Sequence, residues 1–245
     1  MVAICCLLPI GALLFCEVWS ILFYFEESTA TGCGRRKAWN FVPSISEAIG
    51  HRAPQKYIWQ ACIALHWTPR LLIAFGYYSM YANRFSQPAS LAKFTWLSKI
   101  SFVLHITEIC ALVGLSFVSS TDDHQSHENF FIVFIVCSMI NMLVVCTIHG
   151  LGFSSTSKLE SKTLEEKSYY LKRNLAFINI LVFAVSMYFY HRHNTLCEDG
   201  VYSVFALCEV VVVATNIAFH GTAILDFKSF QIVMQNVNLQ MEKTE

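Results

Sequence analysis

The apolar stretch VYSVFALCEVVVVATNIAFHGTAIL, residues 201–225, decides the fold of this chain. It exceeds the roughly 20 residues that an α-helix needs to cross the hydrocarbon core of a bilayer. It nevertheless carries Glu209, Asn216 and His220, at spacings that place all three on one helical face. Tyr202 extends that face by one heptad. Because ionisable groups in hydrocarbon normally face a protein interior or a wet cavity, this polar stripe predicts an interior face.

The overall composition agrees with a membrane protein. The chain is 55% apolar and only 14% charged, and its mean hydropathy is positive. Its formal net charge is zero, which excludes the electrostatic footprint of a nucleic-acid-binding protein. We therefore expect one helical bundle without a soluble domain.

Six apolar runs predict an all-α, polytopic membrane protein. The runs cover residues 2–25, 57–82, 96–118, 130–151, 171–190 and 201–225. Together they form one membrane domain, residues 1–227, which is followed by a flexible cytosolic tail, residues 228–245. The first run could be a signal peptide, since Ser28-Thr29-Ala30 resembles a cleavage site. We favour a retained span, because the run is too long for such a peptide and no basic residue precedes it.

Basic residues in the connections predict the orientation. Lysine and arginine accumulate in the second and fourth connections and in the tail, which favours cytosolic termini, although the basic first connection argues against it. Among the ten cysteines, only Cys33 and Cys197 lie outside the runs, and this topology puts both on the luminal side. An oxidising lumen favours a disulfide between them.

Ionisable side chains from four predicted spans fall at a similar depth. Counted from the luminal span ends at about 1.5 Å per residue, the group lies roughly 10–15 Å deep. It contains Glu17, His66, Glu108 and Glu209, with Arg70 and His105 slightly deeper. By this count His220 lies near the cytosolic end.

Two interpretations of this group are open. Arg70 could pair with Glu108 or Glu209 while the histidines bond to neighbouring helices, which would only hold the bundle together. The group could instead line a luminal cavity, where Arg70 holds a phosphate or carboxylate and a histidine–glutamate pair transfers a proton. We favour the second interpretation, because three carboxylates and two histidines exceed the needs of one ion pair. For Asn216 and His220, interhelical hydrogen bonding is an equal alternative.

Two predicted loops carry further polar residues. Histidines and a glutamate occur at His124, His127 and Glu128, and a second group contains His191, Arg192, His193, Asn194 and Glu198. The spacing does not form a closed ligand set, so we predict no metal site. No GxSxG, Walker or HExxH pattern is present, and the residues alone do not identify a reaction.

Several segments together resemble a known family. They are TATGCG (29–34), NFVPSISEAIG (40–50), LH (65–66), PR (69–70), HEN (127–129), RHN (192–194), CE (197–198), TN (215–216) and AFH (218–220). The chain resembles the post-GPI-attachment-to-proteins factor 2 family of six-span proteins, which is related to the damage-regulated autophagy modulators and the yeast Sfk1-type proteins. The resemblance runs from about residue 1 to 227. A short cytosolic leader of the longer forms is expected to be missing.

The resemblance implies a role in remodelling the lipid of glycosylphosphatidylinositol (GPI) anchors. The expected step adds a saturated fatty acid at the sn-2 position of lyso-GPI in the Golgi membrane, with some protein in the endoplasmic reticulum. Stable surface expression of GPI-anchored proteins would depend on it. The expected partners are GPI-anchored proteins, the GPI lipid, membrane lipids and other remodelling proteins. No cofactor is firmly predicted beyond an acyl donor, either acyl-CoA or a phospholipid.

On this basis two sets of residues are assigned. The candidate catalytic residues, expected to activate the sn-2 hydroxyl, are His66, Glu108, Glu209 and His220. The candidate head-group residues are Arg70, His105, Asn216, Tyr202, His127, Arg192, His193 and Asn194. Whether the chain transfers the acyl group itself stays open. The alternatives are a non-catalytic lipid-binding or transport subunit of a separate acyltransferase, and a membrane scaffold.

Overall fold

A computed structural model gives the architecture. It describes the backbone of residues 1–33, 36–50, 52–84, 88–152 and 159–228. Side chains are described for residues 1–32, 38–50, 52–81, 94–151 and 163–228. The predicted tail therefore lies outside the described residues, apart from its first position.

The described chain is helical except for one small hairpin and short connections. The elements are α1 (Val2–Phe23), α2 (Phe25–Thr29), β1 (Thr31–Cys33), β2 (Arg36–Ala38), α3 (Ile45–Gly50), α4 (Gln55–Arg84), α5 (Pro88–Phe117), α6 (His124–Gly152), α7 (Leu159–Leu196), α8 (Val201–Gly221) and α9 (Ala223–Asp226). The two strands pair antiparallel, with Thr31 opposite Ala38. The chain is thus an all-α membrane protein with a short extramembrane hairpin.

The six long helices form a closed ring. Each of α1, α4, α5, α6, α7 and α8 packs against the next one along the chain, and α8 closes the ring against α1. The short helix α3 packs against α1, α4 and α8 at the hairpin end of the bundle. This arrangement leaves an interior between the helices, which is where the polar side chains are found.

Helix α1 shows how the sequence separates lipid from interior. Leu7, Leu14 and Val18 are more than half exposed and lie on one face. Leu13 and Cys16, on the opposite face, are fully buried. A helix that exposes large apolar side chains along its length is suited to hydrocarbon and not to water. The chain is accordingly a multi-pass membrane protein.

Five of the described helices are long and apolar enough to cross a membrane: Val2–Phe23, Phe94–Phe117, His124–Leu151, Thr163–Leu196 and Val201–Asp226. The remaining predicted span, 57–82, lies within α4, which is long enough. Polar residues such as Gln60, His66 and Arg70 lower its hydropathy. Six spans and cytosolic termini therefore stay predictions. Helix α7 also begins 12 residues before its predicted span, at Leu159.

The first and last connections are joined by hydrogen bonds at the hairpin end. The backbone N–H of Trp39 donates to Asp199 Oδ1 over 2.7 Å, and that of Gly200 donates to the Trp39 carbonyl over 2.7 Å. Gly200 has φ 76°, a left-handed conformation in which a side chain is strained. The N–H of Phe41 donates to Ser203 Oγ over 2.7 Å. These contacts hold the first turn of α8 against the connection after the hairpin.

The predicted disulfide falls in the same region. Cys197 is disulfide-bonded and has φ 53°. The side chain of Cys33 lies outside the described residues, so the pairing of these two cysteines stays a prediction.

Candidate functional site

The centre of the site is a buried ion pair between α4 and α5. Arg70 Nη2 donates to Glu108 Oε1 over 2.6 Å, and both side chains are almost fully buried. The same Nη2 lies 2.6 Å from Nε2 of His220, on α8. The structure thus selects Glu108 and not Glu209 as the carboxylate that pairs with Arg70.

Two further polar side chains complete the network around Glu108. Asn216 Nδ2 donates to Glu108 Oε1 over 3.0 Å and to Ser138 Oγ over 2.6 Å. Ser138 lies on α6, so four helices meet at this point. Glu108 Oε2 has no hydrogen-bond partner within the described part of the chain. Only one of the two Glu108 carboxylate oxygens is therefore hydrogen-bonded to its neighbours.

The histidines of the network have restricted proton positions. Nε2 of His220 is 2.6 Å from the guanidinium of Arg70 and 3.2 Å from Glu108 Oε1. This nitrogen can accept from Arg70 or donate to Glu108, but one tautomer cannot do both. Arg70 Nε also approaches His105 Nε2 at 3.5 Å. The proton on His220 is therefore coupled to the charge state of its neighbours.

His66 occupies a different environment. It lies one helical turn before Arg70 on α4 and is buried, with 2% of its surface exposed. It forms no hydrogen bond within the described residues, and neither ring nitrogen is sealed from the adjoining cavity. The ring nitrogens of His66 are therefore available to a molecule in the chamber.

An elongated apolar chamber lies inside the ring. The space along it amounts to about 900 Å³, including space open to solvent. All six long helices and α3 contribute to its wall. Apolar side chains dominate, among them Leu112, Phe134, Phe183, Val212 and Ile217, while polar wall residues include Ser46, His66, Arg70, Ser186, Glu209 and His220. An apolar wall interrupted by a few polar groups is typical of ligand pockets.

A second cavity adjoins the chamber at the hairpin end, and we call it the vestibule. It contains about 1160 Å³, including space open to solvent. Its wall is more polar and includes Ser44, Ser46, Glu47, His127, Glu128, Tyr190, Tyr202 and Glu209. Ser46, Phe131, Phe205 and Glu209 line both cavities, so these residues form the junction between them.

The structure places two other predicted residues in the vestibule wall. His127 Nε2 lies 3.1 Å from Ser46 Oγ, and its Nδ1 lies 2.7 Å from the Val118 carbonyl. The Tyr202 ring packs against that of His193 at a centroid distance of 4.8 Å. Both vestibule residues are therefore held in place by neighbours on other elements.

Three predicted head-group residues lie away from the cavity walls. Arg192 forms a partly exposed ion pair with Glu198, in which Nε and Oε2 are 2.6 Å apart. Hydrogen bonding to this arginine lowers the pKa of the Glu198 carboxyl. Asn194 is exposed, and His193 is buried behind Tyr202. None of the three lines the chamber or the vestibule.

The depth count from the sequence is wrong for His220. It placed this residue near the cytosolic end, yet His220 contacts Arg70 and Glu108 directly. Conversely, Glu17 and Glu209 form no hydrogen bond with this network. Counting residues from span ends treats the helices as straight and parallel, whereas contact depends on how each helix is tilted and rotated.

The sequence reasoning also missed a second buried cluster. Lys172 Nζ donates to Asp226 Oδ2, and Ser168 Oγ donates to Asp226 Oδ1 over 2.6 Å. Tyr77 Oη donates to the same carboxylate over 2.5 Å. The proximity of Tyr77 and Lys172 on different helices has no signature in a single sequence.

Comparisons with known proteins show to which family the chain belongs. A family described as "Frag1/DRAM/Sfk1/Cwh43P N-terminal domain" matches residues 1–230. The chain is 39% identical over 227 residues to "Acyltransferase PGAP2" of Xenopus tropicalis, covering 93% of this chain and 86% of that protein. It is 39% identical over 226 residues to "Post-GPI attachment to proteins factor 2" of Drosophila melanogaster, covering 92% and 84%.

The same name is carried by a nematode relative. The protein from Caenorhabditis elegans is 36% identical over 228 residues, covering 93% of this chain and 84% of its own length. No solved structure matches the chain. On the match over residues 1–230 and these three relatives, the chain belongs to the Frag1/DRAM/Sfk1/Cwh43P N-terminal domain family.

Proposed function

We propose that this protein acts in GPI-anchor remodelling by adding a saturated fatty acid to the sn-2 hydroxyl of lyso-GPI-anchored proteins. The relatives named as an acyltransferase and as post-GPI-attachment factors support the biological process. The observation that carries the chemical proposal is an apolar chamber with a free histidine and a buried arginine in its wall. An acyltransferase that works on lipid needs this combination of a chain-binding cavity and proton-transferring groups.

The chamber suits an acyl chain for physical reasons. Its wall is formed mainly by leucine, isoleucine, valine and phenylalanine side chains, which make no directional demands on a ligand. Each methylene buried there contributes about 0.8 kcal/mol, so a long saturated chain gains most from occupying its length. The polar vestibule, at the hairpin end, would hold the head group.

The chemistry assigned to His66 is general-base catalysis. Its imidazole would take the proton from the sn-2 hydroxyl as the hydroxyl oxygen attacks the donor's acyl carbonyl. The resulting tetrahedral oxyanion would be stabilised by Arg70, one turn deeper on the same helix. His66 would then give its proton to the leaving group, which is the CoA thiolate for acyl-CoA or a lysophospholipid alkoxide for a phospholipid.

Glu108, His220, His105 and Asn216 are assigned a supporting role. Arg70 Nη2 is already engaged by Glu108 and His220. This engagement fixes the guanidinium in the chamber wall and offsets its charge, which favours oxyanion stabilisation over tight binding of a phosphate. The protein's orientation with the vestibule in the lumen, its Golgi location and the Cys33–Cys197 disulfide belong to the same proposal.

A second candidate function is a lipid-binding subunit that supports a separate acyltransferase. It is favoured by the hydrogen bonds that connect Arg70, Glu108, Asn216 and Ser138 to one another. These bonds join four helices, as a network with a purely structural role would. In this alternative the chamber binds or presents the lyso-lipid, and no residue of this chain transfers a proton.

The test begins with purified full-length protein in lipid nanodiscs. Acyl transfer to a lysophosphatidylinositol acceptor is measured with either acyl-CoA or diacyl phospholipid as the donor. We expect His66→Ala to lower the rate by about 10²- to 10⁴-fold, the usual contribution of a general base. His191→Ala is the matched control, since His191 is exposed and lines neither cavity.

Cells lacking the endogenous factor provide the second readout. Loss of sn-2 acyl chains from GPI lipids with His66→Ala, at normal protein abundance, supports the proposal. If purified wild-type protein transfers no acyl group yet binds lyso-lipid, the supporting-subunit alternative is correct. Activity that falls only in proportion to abundance would assign His66 to architecture.

A further inference from the structure

Two carboxylates at the hairpin end, the buried Glu17 and the partly buried Glu209, form no ion pair within the described residues. Both oxygens of Glu17, on α1, have no hydrogen-bond partner, and 8% of the residue surface is exposed. Glu209, on α8, accepts a hydrogen bond from the backbone N–H of Ile45, while its Oε2 has no partner. Glu17 and Glu209 lie on the adjacent helices α1 and α8, where a charge on one carboxylate disfavours a charge on the other.

This arrangement is energetically unfavourable in the empty protein. Burying a carboxylate without a partner is costly, and a second carboxylate nearby adds to the cost. Neither Glu17 nor Glu209 forms an ion pair within the described part of the chain. By contrast, Glu108 is paired with Arg70, and Asp226 with Lys172. The other buried carboxylates of the bundle are thus compensated, and these two are not.

Their location connects them to a ligand. Glu209 lines both the chamber and the vestibule, so a molecule that extends from one cavity to the other must pass it. The vestibule wall contains Glu47, Glu128 and Glu209 but no lysine or arginine among its described lining residues. Glu47 is paired with Arg52 at 3.3 Å, which leaves Glu128 and Glu209 as the acidic groups of this wall without an ion pair to another described residue. Hydroxyl and aromatic side chains, such as Ser44 and Tyr202, supply the rest of its polar surface. This electrostatic environment favours a cationic group.

We propose that Glu209, supported by the charge of Glu17, binds a primary ammonium group on the head group of the lipid substrate. The inference rests on the proposed function, because it assigns the substrate selectivity of the same site. An amino sugar linked to the inositol phosphate of a glycolipid carries such a group. Its hydroxyls match the serine and tyrosine side chains of the vestibule, and its ammonium donates to the Glu209 carboxylate.

A metal ion fits the site less well. Among the described residues, no three histidine, cysteine, aspartate or glutamate side chains come together as a potential metal site. An ammonium needs only one or two carboxylate acceptors and brings its own three N–H donors. The ligand chemistry therefore favours an amine over a divalent cation.

The test compares two lipid probes that differ by one group. Full-length protein in nanodiscs is titrated with glucosaminyl-lysophosphatidylinositol and with its N-acetylated form, which lacks the ammonium. We expect wild-type protein to bind the amine about tenfold to hundredfold more tightly, the range for a charge-assisted hydrogen bond. Glu209→Gln should weaken binding of the amine selectively and remove this preference. Glu17→Gln should reduce it to a smaller extent.

The control variant is Glu26→Gln, since Glu26 is exposed and lies on α2, away from both cavities. Equal binding of the two probes by wild-type protein overturns the inference while leaving acyl transfer intact. Failure to bind either probe overturns the inference and removes support from the proposed function. If Glu209→Gln weakens the binding of both probes equally, the inference is also overturned, because Glu209 would then only maintain the shape of the cavity. Melting temperatures of all variants separate these outcomes from misfolding.

Discussion

Removal of the Glu108 side chain provides the sharpest test of the buried network. Glu108→Ala deletes the carboxylate that accepts from Arg70 at 2.6 Å and from Asn216 at 3.0 Å. Arg70, with 3% of its surface exposed, cannot reach water to recover its solvation. We therefore expect a large loss of stability and not the small effect typical of a surface ion pair.

The magnitude follows from two contributions. Interhelical hydrogen bonds in membrane proteins average about 0.6 kcal/mol each, so the lost bonds alone cost about 1–2 kcal/mol. Leaving one member of a buried ion pair without its partner costs about 3–5 kcal/mol, and this contribution dominates. At about 2–4 °C per kcal/mol for a chain of this size, the melting temperature should fall by about 6–20 °C.

A double-mutant cycle separates the charge effect from simple packing loss. Arg70→Met in the Glu108→Ala background removes the stranded charge, so the double variant should be more stable than the sum of the single effects predicts, by at least about 1 kcal/mol. Tryptophan fluorescence of the purified protein reports unfolding, since the chain contains 5 tryptophans. Thr107→Ala, at an exposed position beside Glu108, is the control. Effects that add within about 0.5 kcal/mol would refute the buried ion pair.

Two further predictions concern packing and covalent structure. A Cβ at Gly114 would lie 2.6 Å from the Phe130 ring, so Gly114→Ala should lower the free energy of unfolding by about 1–3 kcal/mol. Gly11→Ala is the control and should not, because a Cβ at Gly11 has nothing within 4 Å. Equal melting temperatures of the two variants would contradict the close contact at Gly114. Cys33→Ser, Cys197→Ser and the double variant should lower stability equally if these cysteines form one disulfide. Non-reducing peptide mapping by mass spectrometry checks that bond directly, and recovery of both cysteines as free thiols would exclude it.

The helical repeat of the sequence predicted which side chains of a single helix share the face that lines the site. The stripe of Glu209, Asn216 and His220 follows from the 3.6-residue repeat, and the structure places all three on the interior side of α8. His66 and Arg70 are four residues apart, so the same repeat places them on one face of α4, and both line the chamber. These inferences needed no knowledge of how the helices pack.

Contacts between helices could not be predicted in the same way. The sequence left Glu108 and Glu209 as equal partners for Arg70, because the choice depends on the rotation of α5 and α8 around the ring. Ser138 was missed altogether, since serine is common in membrane helices and its hydroxyl usually bonds to its own backbone. Only the position of Asn216 on the facing helix makes Ser138 part of the network.

The positions of three wall residues restrict how a lipid can lie in the chamber. Glu209 lines both the vestibule and the chamber, whereas His66 and Arg70 line only the chamber. Arg70 lies about 6 Å deeper than His66. A head group on Glu209 would bring the glycerol to the level of His66, with the acyl carbonyl nearest Arg70 and the chain beyond it. If Arg70 instead held the phosphate, the sn-2 hydroxyl would lie below His66, and His66→Ala would change lipid binding more than the rate of transfer.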